Sequence, residues 1–292
     1  MIYNQFLKRY GQLGCKCTGK IALRNSFRIN TLKADEKLLL RLKKQKVQKI
    51  GFLDQGYYYE SDYSLASSNE YLQGYLYIQE AASQLPVQVL DPKPDELVLD
   101  MCASPGSKTT QIAAMMNNNG AILCLDNDSR RLLSLRNNLE RCGVENAFLL
   151  KKDARFSMDF GIEFDKILLD APCSGNYAIE EKFFQEKNIH GVLERSRIQK
   201  ELLKAAVKVL KKNGILVYST CSLEPEEDEM NIDWLLTKYK DLVLEDTGLS
   251  VGDSGLTSVF GKKLNPELKK TRRFWPEKHN TEGFFIAKIK KR

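Results

Sequence analysis

From about residue 95 onward, short apolar runs alternate with stretches whose apolar residues recur every three or four positions. Those are the two periods of buried strands and amphipathic helices. The runs predict strands at 97–102, 121–126, 147–150, 166–170 and 215–220. Leu132, Leu135 and Leu139 share one helical face, and Leu202, Leu203, Ala206, Val207 and Leu210 share another. The second helix is expected to stop at Asn213-Gly214. Strands separated by helices predict an α/β fold around a parallel sheet, with 283–289 as one further strand. Before residue 95 the alternation lapses, and Asp91-Pro92-Lys93-Pro94 reads as a loop leading into the first large-domain strand. The reading divides the chain into a small N-terminal α+β domain (1–75) with a basic helix over 38–46, and a catalytic domain (76–292).

Charge sharpens this division. Residues 1–75 carry 13 Lys/Arg against 6 Asp/Glu, and 262–292 carry 11 against 3. The centre, 76–261, carries 21 against 29. Basic ends around an acidic centre suit a polyanion held at the periphery and a small cofactor held centrally. Eight aromatics lie between Phe52 and Tyr77, namely those two with Tyr57, Tyr58, Tyr59, Tyr63, Tyr71 and Tyr75. Unpaired RNA bases stack on such rings, although half-buried strands of a small sheet explain most of them equally well. The N-terminus has no secretory apolar stretch, and no run approaches the ~20 apolar residues of a membrane span, so a cytoplasmic protein is expected. Cys15 and Cys17 have no second pair or histidine cluster beside them, so they read as incidental thiols and no metal is expected.

The chemistry concentrates at strand ends. The first large-domain strand runs into Asp100-Met-Cys-Ala-Ser-Pro-Gly-Ser-Lys-Thr109 and then a helix. Gly106 lets backbone approach a ligand, Ser107 or Thr109 can cap the helix, and its open N–H groups attract an anion. Neither a dinucleotide fingerprint nor a phosphate loop is present. A dinucleotide or ATP is thereby disfavoured, and the anion expected here is instead the methionine carboxylate of S-adenosylmethionine. Asp126 is placed to accept the ribose hydroxyls and Asp153 the adenine amino group. With Asp100 and Asp170 they make four aspartates at successive strand ends, where any one alone reads as a helix cap.

Two cysteines close the fourth and fifth strands, in Asp170-Ala-Pro-Cys-Ser-Gly175 and Ser219-Thr-Cys-Ser-Leu-Glu224. Carbon 5 of cytosine is a poor nucleophile until a thiolate adds to carbon 6, which calls for a positioned cysteine. The thiolate is expected to be favoured by helix N-termini and Lys108, and Asp170 is placed as an acid at N3. Position alone does not say whether Cys173 or Cys221 attacks.

Taken with Arg28-Ile-Asn-Thr-Leu-Lys33, Tyr77-Ile-Gln-Glu-Ala-Ala-Ser83, Arg273-Phe-Trp-Pro276 and Gly283-Phe-Phe-Ile-Ala287, these motifs resemble the Sun-type (Nol/Nop/Sun) RNA cytosine-C5 methyltransferases, in that family's order over roughly 21–290. The resemblance implies a Rossmann-like S-adenosylmethionine-dependent methyltransferase fold. It implies Cys221 as nucleophile, Cys173 as the residue assisting breakdown of the covalent product, and Asp170 and Lys108 facing the base. It places Cys102, Ala103, Ser104, Pro105, Gly106, Ser107, Lys108, Asp126, Asp153 and Asp170 at the cofactor, with Arg131 at a weaker position. The family usually reads Ala-Ala-Pro-Gly-Gly-Lys where this chain has Ala-Ser-Pro-Gly-Ser-Lys. If that second glycine required φ > 0, Ser107 would be strained. The small first domain resembles the family's RNA-recognition domain. The compact organisation resembles archaeal members acting on transfer RNA, with ribosomal RNA the second choice and a monomer expected. The rivals are an exocyclic-amine methyltransferase, disfavoured by the missing aromatic after Pro172, and a non-catalytic RNA-binding protein.

Overall fold

The computed structural model describes residues 2–16, 21–42, 45–178 and 183–292. The chain opens with helix α1 (Ile2–Gln12), whose Phe6 and Tyr10 are buried in the core of the large domain. Its Arg9 donates to Glu224 at 3.0 Å and Glu226 at 2.8 Å. Four antiparallel strands follow, β1 (Ser26–Ile29), β2 (Lys46–Lys49), β3 (Gly56–Glu60) and, after the short α2 (Asn69–Leu72), β4 (Leu76–Ile78). They pair in the order β2-β3-β1-β4. Phe27, Ile29, Tyr57, Tyr59 and Leu76 form their core, so the aromatic cluster is mainly packing. Tyr63 alone of the eight is exposed.

The basic helix expected over 38–46 is corrected. A 3-10 turn covers only Glu36–Leu40, and Lys46 already opens β2, paired with Glu60 of β3. Strand pairing and the burial of Leu38 and Leu42 outweigh the local helical propensity, while 43–44 lie outside the described residues. Cys15 is also corrected, because it is disulfide-bonded rather than a free thiol. Cys17 lies outside the described residues.

The large domain begins with α3 (Leu85–Leu90) and alternates β5 (Leu97–Asp100), α4 (Ser107–Met115), β6 (Ala121–Asp126), α5 (Ser129–Cys142), β7 (Ala147–Lys151) and β8 (Phe164–Asp170). Then come α6 (Phe183–Glu186), α7 (Ile189–Val209), β9 (Leu210–Thr220), α8 (Glu229–Lys238) and β10 (Leu242–Glu245). The remainder is β11 (Asp253–Ser254), the β12–β13 hairpin (Ser258–Val259 and Lys262–Lys263), β14 (Arg272–Phe274), α9 (Pro276–His279) and β15 (Phe284–Lys291). Strands β7-β6-β5-β8-β9 are parallel, and β15 joins β9 antiparallel, with β14 and β10 sharing its other edge. The sheet is therefore mixed. Helix α7 ends at Val209, short of Asn213, because Leu210 already pairs with Phe164 across to β8. The strand order reverses between β5 and β8, and such reversals open a crevice beyond the carboxyl ends of the strands. None of the described helices is long and apolar enough to cross a membrane.

Candidate active site

That crevice holds two adjoining cavities. The larger, about 470 Å³, is lined by Cys102, Ser104, Asp126, Arg131, Asp153, Asp170, Cys173 and Cys221 among others. Gly106 lines neither cavity but shapes the loop. Its φ is +108°, and a Cβ there would sit 2.9 Å from Leu135 Cδ1 of α5. Only glycine accepts both conditions. Ser107 has no positive φ and simply begins α4, so replacing the family's second glycine leaves no strain. Neither Ser107 nor Thr109 caps the helix. Gly106 occupies the cap position without a side-chain bond, and Thr109 Oγ1 donates to Asp100 Oδ2 at 2.7 Å. Asp100 is thereby fixed in the wall of the smaller cavity, and burial raises its carboxyl to about 6.

Asp126 closes β6 in a different way. Its Oδ1 accepts the Asp128 N–H at 2.9 Å, while Oδ2 is buried without a hydrogen-bond partner. Arg131 Nη2 stands 3.5 Å from Oδ2 and donates to the Ser104 carbonyl at 3.0 Å. An unsatisfied buried acceptor on a cavity wall is costly unless a ligand supplies the donor, and the ribose hydroxyls of S-adenosylmethionine fit it. Asp153 sits on the same wall. Its carboxylate is held below the usual range, first by the Arg155 side-chain hydrogen bonds.

The smaller cavity, about 240 Å³, shares Cys102, Ser104, Asp170 and Cys221 with the first, and adds Ala103, Pro105, Ser107, Lys108, Glu282 and Phe284. Lys108 Nζ bonds Asp170 Oδ2 at 2.7 Å and Ser83 Oγ at 3.0 Å. Burial works to lower the Lys108 pKa, but Asp170 outweighs it and the ammonium is held. Asp170 Oδ1 accepts the Ser219 hydroxyl at 2.7 Å. Where the cavities meet, Cys173 Sγ and Cys221 Sγ are 2.9 Å apart. The expectation of a favoured thiolate is corrected. The hydrogen bond with Cys173, then burial, push the Cys221 thiol well up. Lys108 is committed to Asp170, and no helix begins at either cysteine.

Several supporting residues were not legible in the sequence. Glu227 accepts the Ser174 N–H at 3.0 Å, the Ser222 hydroxyl at 3.0 Å and Gln199 Nε2 at 2.7 Å, so one buried carboxylate grips the residue following each cysteine. Asn176 Nδ2 donates to the Cys221 carbonyl at 2.8 Å and to that of Gly283 at 3.2 Å. Arg28, which opens one of the sequence motifs but had no role assigned there, is buried and reaches from β1 to Thr110 of α4 at 3.0 Å, tying the small domain to the helix beneath the loop. The available signal was Glu226-Glu227-Asp228-Glu229, a charge run that reads as solvated although its last three members are fully buried. Among the described residues no cluster of three or more His, Cys, Asp or Glu could hold a metal ion.

Residues 87–290 match the family described as 16S rRNA methyltransferase RsmB/F, and residues 6–81 match the N-terminal domain of 16S rRNA methyltransferase RsmF. The tRNA (cytosine(49)-C(5))-methyltransferase of Pyrococcus abyssi is 42% identical over 276 residues, 92% of this chain and 88% of that one. The tRNA (cytosine(72)-C(5))-methyltransferase of Pyrococcus horikoshii is 39% identical over 228 residues, 78% of this chain. The match spans 55% of that relative's own length. A crystal structure of a methyltransferase homolog protein from Pyrococcus horikoshii superposes with a TM-score of 0.89 at 40% identity, covering 99% of this chain and 95% of that one. With the fold, the paired cavities and these matches in agreement, the chain belongs to the RsmB/F family of S-adenosylmethionine-dependent methyltransferases that act on carbon 5 of cytosine in RNA.

Proposed function

We propose that this chain methylates carbon 5 of a cytosine in transfer RNA through a covalent bond from Cys221 to carbon 6. The observation that carries the reading is the pair of sulfurs 2.9 Å apart where the two cavities meet. The larger cavity is the cofactor side, with Asp126, Arg131, Asp153 and the 102–107 loop as its binding residues. When bound there, S-adenosylmethionine supplies the electrophilic methyl group. The smaller cavity receives the base, which must be unpaired or flipped out to reach it. Cys221 adds to carbon 6, Lys108 and Asp170 face the ring, and Cys173 assists release of the methylated base. Transfer RNA is favoured because the two archaeal relatives above carry tRNA in their names, and the family description makes ribosomal RNA the alternative. The reading extends to a cytoplasmic monomer, which light scattering with and without RNA checks for mass.

Denaturing electrophoresis with radiolabelled RNA tests the two thiols. Cys221→Ala should lose both methyl transfer and covalent capture, because no sulfur remains to activate the ring. Cys173→Ala should methylate, then stall as an adduct stable to denaturation. An adduct in Cys221→Ala alone reverses the assignment, and none with wild type on 5-fluorocytosine RNA rejects covalent catalysis.

A further inference from the structure

We propose that Glu282 is the acid that gives a proton to N3 of the target cytosine as Cys221 adds to carbon 6. This rests on the reading of Cys221 as nucleophile. Glu282 immediately precedes Gly283 and β15, is 6% exposed, and lines the smaller cavity beside Lys108, Cys221 and Phe284. No motif-based expectation includes it.

Its neighbour Glu80 explains its state. Glu80 Oε1 accepts the backbone N–H of Glu282 at 3.1 Å, and Oε2 accepts those of Ala82 at 2.6 Å and Ser83 at 3.2 Å. Two carboxyls buried side by side do not both ionise readily, and the one receiving backbone donors keeps the charge. Glu80 is that one. Burial first, and then the Glu80 charge, push the Glu282 carboxyl well above the carboxylate range, against the pull of Lys108. Asp170 and Cys173 also face it and push in the same direction.

Asp170, the acid expected at N3, is differently engaged. One of its oxygens is bonded to the Lys108 ammonium and the other accepts the Ser219 hydroxyl. It is an acceptor, suited to the 4-amino hydrogens of cytosine, and Glu282 is the group carrying a proton into the same cavity. In the step, Cys221 first gives its thiol proton to solvent water and attacks as the thiolate. A sulfur lone pair forms the bond to carbon 6 while the C5–C6 π pair moves to join C4 and C5. The C4–N3 π pair moves onto N3, which takes the Glu282 proton. Glu282 is left as a carboxylate beside Lys108 and regains the proton when the C4–N3 double bond returns.

The test uses the full chain, S-adenosylmethionine and a transfer-RNA transcript in which every cytidine is 5-fluorocytidine. Adduct formation is followed in single turnover from pH 6 to 9. The wild-type rate should rise with pH as Cys221 ionises and then level off as Glu282 loses its proton. Glu282→Gln should form adduct roughly 100-fold or more slowly, with that levelling gone. Glu282→Asp should recover part of the rate and restore the levelling. Calorimetry with S-adenosylmethionine should give wild-type affinity for both variants, and Glu282→Asp alone carries the comparison if Glu282→Gln does not fold. A Glu282→Gln rate within threefold of wild type overturns the proposal. So do equal losses in both variants with a wild-type pH profile, the signature of a purely structural residue. Wild type that forms no adduct removes the Cys221 reading itself.

Discussion

Asp126 ends its strand with one oxygen satisfied and the other on the cavity wall without a hydrogen bond, only Arg131 standing 3.5 Å away, so a ligand that donates there offsets the cost of burying it. Asp126→Ala should weaken S-adenosylmethionine by roughly 1.5–3 kcal/mol, the worth of hydrogen bonds to a charged acceptor. Calorimetry on the folded variant measures it, and unchanged affinity removes Asp126 from the site. Cys221 gives a prediction of opposite sign to the sequence expectation. Its thiol is raised first by Cys173, so the reactive thiolate is scarcer near pH 8 than for a free cysteine of pKa about 8.5. Removing that partner in Cys173→Ala should bring the thiol down and move the midpoint of Cys221 alkylation to lower pH. Mass spectrometry of the Cys221 peptide reads this, and an unmoved midpoint shows that burial dominates. Asp126, Cys173 and Cys221 were legible because a strand end followed by a polar residue is a local pattern. Glu227 and Glu282 were not, because the atoms that give them meaning lie far away in sequence, at Ser174 and Glu80.

The strands were legible as strands, but their directions and ends were not. An apolar run at 283–289 predicts a strand without saying that it runs antiparallel to β9, since burial on both faces looks the same in either direction. The antiparallel addition brings in β14, and with it Arg273. This fully buried arginine donates to Asp228 at 3.0 Å, to Glu229 Oε1 at 2.8 Å and to the Leu223 carbonyl at 2.9 Å. It thus fastens β14 to the start of α8 and to the turn after Cys221. Arg273→Met should destabilise the fold by about 3–5 kcal/mol, because it strands two buried acidic side chains without their cation. The loss should shrink as pH falls from 8 towards 5. Burial already raises Asp228 well above the carboxylate range while Arg273 pulls it back down, so without Arg273 the native variant binds still more protons than the unfolded chain, and its stability falls faster than that of wild type as pH rises. Urea denaturation at several pH values checks both the size and the slope. A deficit that is constant with pH would mean that the acids do not carry the cost.

Across the molecule, the charge map was legible while the facing of the charges was not. Arg9 and Arg28 contribute to the basic excess of residues 1–75 but point inward, to Glu224 and to Thr110. Lys33 is held by the carbonyls of Gln73 at 3.0 Å and Arg141 at 2.9 Å. Lys37 and Arg41 remain outward, on the rim of an open cavity of about 470 Å³ that also includes Tyr75. Cutting the chain at residue 75 would strip α1 from the large core and three of the four strands from the small sheet, so point substitution is the cleaner probe. If this rim follows the RNA backbone, each cation neutralises one phosphate and releases its condensed counterion. Replacing both, as Lys37→Ala with Arg41→Ala, should lower the slope of log affinity against log salt by roughly 1.4–1.8, at 0.7–0.9 per phosphate. The affinity for S-adenosylmethionine should not change, since neither side chain lines the crevice. Filter binding of transfer RNA across a salt series measures the slope, with calorimetry as the control. An unchanged slope would move the RNA path off this rim and onto the basic C-terminal residues.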